Sequence, residues 1–333
     1  MGWSLPGPSG VEHPSPRCGD REPTLAHPDH GQAPPGPATA LGVALVRGLA
    51  AAVARLPVPL ALAAGRRLGD LAALTLRRRR RVALANLAMA FPDLTPGARR
   101  RLARRAWQHF GMTLIELARL LDRPLEATLG ELTVDGVDRL RRVMTEHGRA
   151  LVLTAHLGNW EYLAAAHRLT GYPLAIVVRP LDSPTLDGLA AAMRRKTGVA
   201  LIDKRGALRP VLDALRRGGL VGILLDQNTA RREGVFVPFF GRVASTSRSL
   251  ALLALRTRTP IVPIFIRREG IGRHRVVIEA PLPPPVASDL EGAVIELTAR
   301  CTQTVEAAIR QAPEQWLWSH DRWRTRPPAT TPS

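Results

Sequence analysis

The sequence predicts an α/β fold: a mostly parallel central sheet flanked by helices, preceded by an amphipathic helical region. Two textures carry that reading. From about residue 150, short apolar runs alternate with helical stretches, and the runs are apolar at nearly every position. Strands buried on both faces read this way, and such strands belong to parallel sheets covered by helices. Between residues 40 and 125 the chain is instead rich in alanine, leucine and arginine, without strand character.

In order along the chain, residues 1–39 are rich in Pro, Gly, His and polar residues and predict a disordered tail. They lack the basic start and apolar run of a signal peptide. Residues 41–76 are apolar, but Arg47, Arg55, Pro57, Pro59, Arg66 and Arg67 interrupt them, so no clean membrane span is supported. Two short helices lying in a membrane interface fit this pattern; amphipathic helices packed on a soluble core are the alternative. An unbroken arginine run, Arg77–Arg81, follows and suits attraction to anionic lipid, although a solvated helix face is the ordinary reading of such runs. Residues 97–121 predict a long helix with Leu102, Ala106, Phe110, Leu114, Leu117 and Leu121 on its buried stripe. Arg99, Arg100, Arg101, Arg104 and Arg105 crowd its start against the helix dipole, which points to an external anion.

Strands are expected at Ala150–Ala155, Leu174–Val178, Val199–Asp203, Leu220–Asp226, Ile261–Ile266 and Arg275–Ala280, with helices at 160–170, 184–197, 208–217 and 246–257. A last helix over 290–312 carries Val294, Leu297, Cys301, Val305 and Ala308 inward. The organisation is then a helical, membrane-associating region at 40–125, a catalytic α/β domain at 126–326 and a short tail at 327–333.

Charge narrows the partners. Lys+Arg outnumber Asp+Glu by 47 to 28, a net charge of +19, and all but Lys196 and Lys204 of the basic residues are arginines. Arginine stays charged at any relevant pH and forks onto phosphates and carboxylates, so anionic partners are implied. Nucleic acid is not expected, because aromatic residues are only 4 % and no binding motif is present. A catalytically silent binder of anionic lipid remains the alternative from another class. Cys18 and Cys301 are too few for a disulfide framework or a zinc site, and a reducing compartment is expected.

The sharpest chemical signal is LVLTAHLGNWE at 151–161. A buried strand ends, His156 follows, then a Gly-Asn turn and a helix with Asn159 as N-cap. Ligands of parallel sheets bind beyond the carboxyl ends of the strands, where His156 would stand. Glu161, about one helical turn into the next element, would fix the imidazole tautomer and leave the other nitrogen to take a proton. A turn-capping histidine and a dipole-compensating glutamate are the bland alternative. No Gly-x-Ser-x-Gly elbow, Walker loop, Gly-x-Gly-x-x-Gly or His/Cys cluster accompanies it. A His/acid dyad without a protein nucleophile suggests direct attack by a substrate hydroxyl.

HLGNWE, together with ANLAMAFPDLT at 85–95, VVRPLDSP at 177–184, LLDQNT at 224–229, GVFVPFFGRVAS at 234–245 and PEQWLWSHDRW at 313–323, resembles the late acyltransferases of lipid A biosynthesis, within the lysophospholipid acyltransferase-like group. The resemblance covers roughly residues 41–326. It implies a glycerolipid-acyltransferase-like fold, with His156 as the catalytic histidine and Glu161 as the acid of the His-x4-acid motif. Arg179 matches the Arg-Pro segment and would hold a phosphate or an oxyanion, or else pair with Asp182. Asp226 would assist His156, position the acceptor, or cap a loop.

Asn159, Ser245, Thr246 and Arg248 are further substrate-binding candidates. Phe236, Phe239 and Phe240 suit an acyl chain or the core. Trp316, Trp318 and Trp323 suit a membrane interface, and His320 is read as structural. The resemblance further implies transfer of a fatty acyl chain from acyl carrier protein to a glycolipid hydroxyl, with a lipid A precursor as first choice and a phosphatidylinositol mannoside as the alternative. No metal or organic cofactor is called for. The expected place is the cytoplasmic face of a bacterial inner membrane, against its anionic surface.

Overall fold

The structure is a computed structural model that describes residues 48, 50–180, 183–287 and 289–328. The expected tail at 1–39 and residues 329–333 of the one expected at 327–333 lie outside the described residues, as do Cys18 and Asp182. A short helical stretch over 50–55 ends before Pro57, and helix α1 (Val58–Thr75) begins there with Pro59 in its first turn. Helix α2 (Arg77–Ala90) starts with the arginine run, and α3 (Pro96–Asp122) is capped by Thr95, whose side chain accepts from Ala98 N–H at 3.2 Å. Among the described residues no helix is long and apolar enough to cross a membrane.

Helices α1 and α3 cross at backbone contact because glycine lies at the crossing. A Cβ on Gly69 would stand 2.1 Å from Trp107 O, and one on Gly111 would stand 2.1 Å from Gly65 O. The burial of α3 corrects the expected stripe. Leu114 is exposed, whereas Ala103, Trp107, Met112, Ile115, Glu116, Arg119 and Leu120 are buried with Ala106. The helix is covered on two sides, by α1 and by the rest of the domain, so its buried surface is wider than one stripe and takes in charged residues. Its arginines also divide. Arg99 donates to Leu94 O (2.8 Å) and Arg104 forks onto Asp70 (2.8 and 3.1 Å), while Arg100, Arg101 and Arg105 are exposed.

The remaining elements are α4 (Leu125–Leu129), β1 (Leu132–Asp135), α5 (Val137–His147), β2 (Ala150–Thr154), α6 (Trp160–Thr170), β3 (Leu174–Val178), α7 (Pro184–Thr197), β4 (Ala200–Asp203), α8 (Leu208–Arg216), β5 (Leu220–Leu224), β6 (Gly234–Phe239), β7 (Arg242–Ser247), α9 (Ser249–Thr257), β8 (Ile261–Gly270), β9 (Arg273–Ile278) and α10 (Leu290–Gln311). The main sheet has the order β1-β9-β8-β2-β5-β3-β4. Strands β8, β2, β5, β3 and β4 are parallel, whereas β9 runs antiparallel to β8 and carries β1 with it. The α/β architecture read from the sequence is the observed one. Every expected strand is present, and β1 is an addition.

Strands β6 and β7 form a separate antiparallel hairpin that is absent from the expected strands. Its Val235, Val237, Phe239 and Ala244 face the core, and the five expected positions of α10 are all buried. Trp316, Trp318 and Trp323 are buried too, in a cluster with Phe239 and Phe240. They form core rather than a membrane-facing belt, because the hairpin and α10 enclose them.

Candidate active site

Strands β2 and β5 are neighbours in parallel register, with Thr154 opposite Leu224. Two residues further along each chain, His156 and Asp226 therefore emerge side by side at the carboxyl edge. Leu225 N–H still donates to Thr154 O (3.1 Å), so the pairing persists to the point of exit. Asp226 Oδ1 stands 2.9 Å from His156 Nδ1, and Oδ2 accepts from His156 N–H (3.1 Å) and from Trp316 Nε1–H (2.7 Å). Burial would raise the Asp226 carboxyl, but the His156 charge and these hydrogen bonds override it and hold the group at about 2. It is thus a carboxylate at neutral pH, and it accepts from Nδ1–H, which leaves Nε2 as the basic nitrogen.

The His156 side chain is 21 % exposed, and the Trp160 ring meets it edge-on with centroids 5.2 Å apart. The Gln227 side-chain nitrogen lies 3.4 Å from Nδ1 and 3.3 Å from Nε2. A group equidistant from both nitrogens cannot lie along either lone pair, so Nε2 is left open to a substrate proton. The turn that follows requires glycine. Gly158 has φ +62, and a Cβ there would stand 2.1 Å from Ile266 O.

This arrangement corrects the sequence reading of Glu161. Its carboxylate does not reach His156; it is buried and bound by both arms of Arg194 from α7, at 2.9 and 2.5 Å. The reason is directional. Glu161 sits in the first turn of α6 on the face covered by α7, where a fork-to-fork pair satisfies both carboxylate oxygens. Of the roles left open for Asp226, the structure shows contact with His156.

Asn159 is the N-cap, its Oδ1 accepting from Tyr162 N–H at 3.2 Å, but it is fully buried and not placed to bind substrate. Its Nδ2 donates to Glu116 of α3 at 2.8 Å. Ser245 and Thr246 are likewise buried. The Arg322 guanidinium donates to Ser245 O (2.6 Å) and Thr246 Oγ1 (2.5 Å) while lying over the Phe239 ring. Burial lowers the Arg322 pKa to about 10. Arg248 pairs with Glu291 at 2.7 Å. Ser245 and Thr246 are enclosed because the hairpin folds them inward, whereas Arg248 stays part-exposed at the start of α9, held in its ion pair. Arg179 is exposed just beyond β3, on the same sheet edge as His156.

Sequence reasoning missed a second carboxylate centre. Glu116 accepts from Asn159, from both arms of Arg268 and from His274 Nε2 (3.1 Å), and Tyr162 OH donates to its backbone oxygen (3.3 Å). Burial opposes the charge of Glu116, but His274 and Arg268 outweigh it and hold the carboxyl at about 2. The available signal was a glutamate flanked by Ile115 and Leu117 within an apolar helix.

A family model described as bacterial lipid A biosynthesis acyltransferase matches residues 37–325. The lipid A biosynthesis lauroyltransferase of Escherichia coli (strain K12) is 30 % identical over 277 residues, covering 83 % of this chain and 89 % of the relative. The palmitoleoyltransferase of the same strain is 27 % identical over 82 % of this chain and 88 % of its own length. The myristoyltransferase is 24 % identical over 86 % and 87 %.

Proposed function

The chain belongs to the bacterial lipid A biosynthesis acyltransferase family and is an acyltransferase, and from that premise we propose that it moves a fatty acyl chain from the thioester of acyl carrier protein to a hydroxyl of a lipid A precursor, using His156 and Asp226 as its dyad. The observation that carries the mechanism is the 2.9 Å contact between Asp226 Oδ1 and His156 Nδ1 at the sheet edge.

Asp226 fixes the ring orientation and stabilises the imidazolium that forms. His156 Nε2 takes the proton from the acceptor hydroxyl as its oxygen attacks the thioester carbonyl. The tetrahedral intermediate carries an oxyanion, for which backbone N–H groups at the strand ends or Arg179 are the donors. Collapse breaks the C–S bond, and the departing thiolate recovers the proton from Nε2–H. No acyl-enzyme is formed, consistent with the absence of a serine or cysteine partnered with His156 among the described residues.

The helical region suits work at a bilayer. Leu60, Leu68, Leu71 and Leu74 are exposed along α1, and Arg66, Arg67 and Arg77–Arg81 are exposed beside them. We place this face on the anionic surface of the inner membrane, apolar side chains inserted and guanidinium groups at the phosphates. The acidic surface of acyl carrier protein would be complementary to the same basic excess.

The test is turnover by purified protein with a panel of acyl carrier protein thioesters and glycolipid acceptors, read by mass spectrometry. A single added acyl chain on the lipid A precursor, lost in folded His156→Ala protein, is the expected result. Full activity in folded His156→Ala protein removes the mechanism. Product only on an inositol mannoside acceptor replaces the substrate.

A further inference from the structure

His320 follows the buried tryptophans in a segment pinned to the His156 loop. Gly158 N–H donates to Gln315 O (3.0 Å), Leu317 N–H donates to His156 O (3.2 Å), and Leu157 forms an antiparallel bridge with Trp316. The backbone of His320 is itself fixed, its oxygen accepting from Asn86 Nδ2 (2.6 Å) and from Arg322 N–H (2.9 Å). The ring is anchored at one nitrogen: the backbone N–H of Asn228 donates to Nε2 at 3.0 Å. Asn228 is two residues beyond Asp226 in the loop that leaves β5, so one loop holds both imidazoles. A nitrogen that accepts from an N–H carries no proton. The His320 ring is therefore the Nδ1–H tautomer.

Among the described residues only Nε2 of the ring makes a hydrogen bond, and the residue is part-exposed. Desolvation pushes the ring down to about 4, with Asp226 opposing and His156, Arg322 and Arg324 adding to the drop. It stays neutral through the working pH range.

We propose that His320 is a further catalytic residue, its Nδ1–H donating a hydrogen bond to the thioester carbonyl oxygen as that oxygen becomes an oxyanion. The inference rests on the acyl-transfer reading of His156. No proton leaves His320: the hydrogen bond strengthens as the C–O bond gains charge and relaxes when the C–S bond breaks. A neutral donor held by a backbone group needs no reorganisation at that moment, which is the property an oxyanion site requires. The structural alternative is that His320 serves only as the acceptor for Asn228.

Asparagine and glutamine separate the two roles. The amide nitrogen of asparagine reproduces the position of Nδ1, whereas the amide oxygen of glutamine reproduces Nε2. Wild type, His320→Ala, His320→Asn and His320→Gln are compared as full chains, using lauroyl thioester of acyl carrier protein and a lipid A precursor, with melting temperatures measured in parallel. Removing one such donor lowers kcat by about 10²–10³-fold, and that loss is expected for His320→Ala with KM little changed. His320→Asn is expected to recover at least ~10-fold of it, with His320→Gln remaining near alanine. Rescue by glutamine rather than asparagine, a loss confined to KM, or an unimpaired His320→Ala overturns the proposal while leaving the function standing. A folded wild type that transfers no acyl group to any acceptor overturns both.

Discussion

Two buried carboxylates in this protein each hold an imidazole, in opposite surroundings. Asp226 contacts His156 at 2.9 Å, and Glu116 contacts His274 at 3.1 Å. Both carboxyls are held at about 2 against the pull of burial. The difference lies in what surrounds the rings. The His156 side chain is 21 % exposed, with Nε2 open, whereas that of His274 is 0 % exposed and its Nδ1 has no partner among the described residues. Arg268 and Asn159 saturate the remaining capacity of Glu116. A carboxylate–imidazole contact is therefore not chemistry by itself; access to the second nitrogen decides. Glu116 instead ties α3 to the Asn159 turn and so braces the loop that presents His156.

The comparison is sharpest if each pair is broken separately. His156→Ala should lower acyl transfer by roughly 10³–10⁴-fold per folded molecule, near the upper range for loss of a general base. Asp226→Asn should cost about 10²–10⁴-fold in kcat by spoiling the tautomer and the stabilised imidazolium. Glu161→Gln should leave kcat within about tenfold, well short of the loss of a general base, while lowering the melting temperature, because Arg194 loses its charged partner. If Glu161→Gln matched Asp226→Asn in kcat, the assignment of the dyad would fail.

Glu116→Leu should behave in the opposite sense. It strands Arg268 and His274 in the interior, and removing one partner of a buried pair costs about 3–5 kcal/mol. Urea unfolding should show that loss, with activity per folded molecule reduced far less than in the His156 variant.

Acid should destabilise the wild type before it reaches the carboxylates. Burial lowers the His109 pKa from 6.5 to about 3, aided by the Arg268 charge, and His320 falls to about 4. Between those values and 6.5 the unfolded chain binds protons that the folded chain does not, so stability decreases as pH is lowered through that window. Asp226 and Glu116 add a further loss in the same direction as pH approaches about 2. His109→Gln, which cannot charge, should flatten the first part of the curve in urea melts at graded pH. The smallest effect is expected at the membrane face: Leu71→Asp with Leu74→Asp should weaken flotation with anionic vesicles while sparing the fold, since both side chains are exposed.

Much of this architecture was legible in the chain. Short apolar runs marked β2, β3, β4, β5, β8 and β9, and those of β2, β5 and the start of β8 are apolar at nearly every position because both faces of these strands are covered. His156 was legible because a strand end followed by Gly-Asn and a helix places a side chain at the ligand edge. The hairpin β6/β7 was not: its small and hydroxyl residues, Ser245 and Thr246 among them, resemble a loop until Arg322 and the buried tryptophans close over them. The width of the α3 core face was hidden for a similar reason, since two partners cover a helix that a single periodic stripe describes as half exposed.

Local pattern determined which residues form strands and helices, where the sheet edge lies and which imidazole stands on it, because those depend on neighbours in the chain. Tertiary structure alone decided which carboxylate that imidazole meets. Glu161, five residues away in sequence, is turned by its helix toward Arg194, while Asp226, seventy residues away, is brought alongside by the parallel register of β2 and β5.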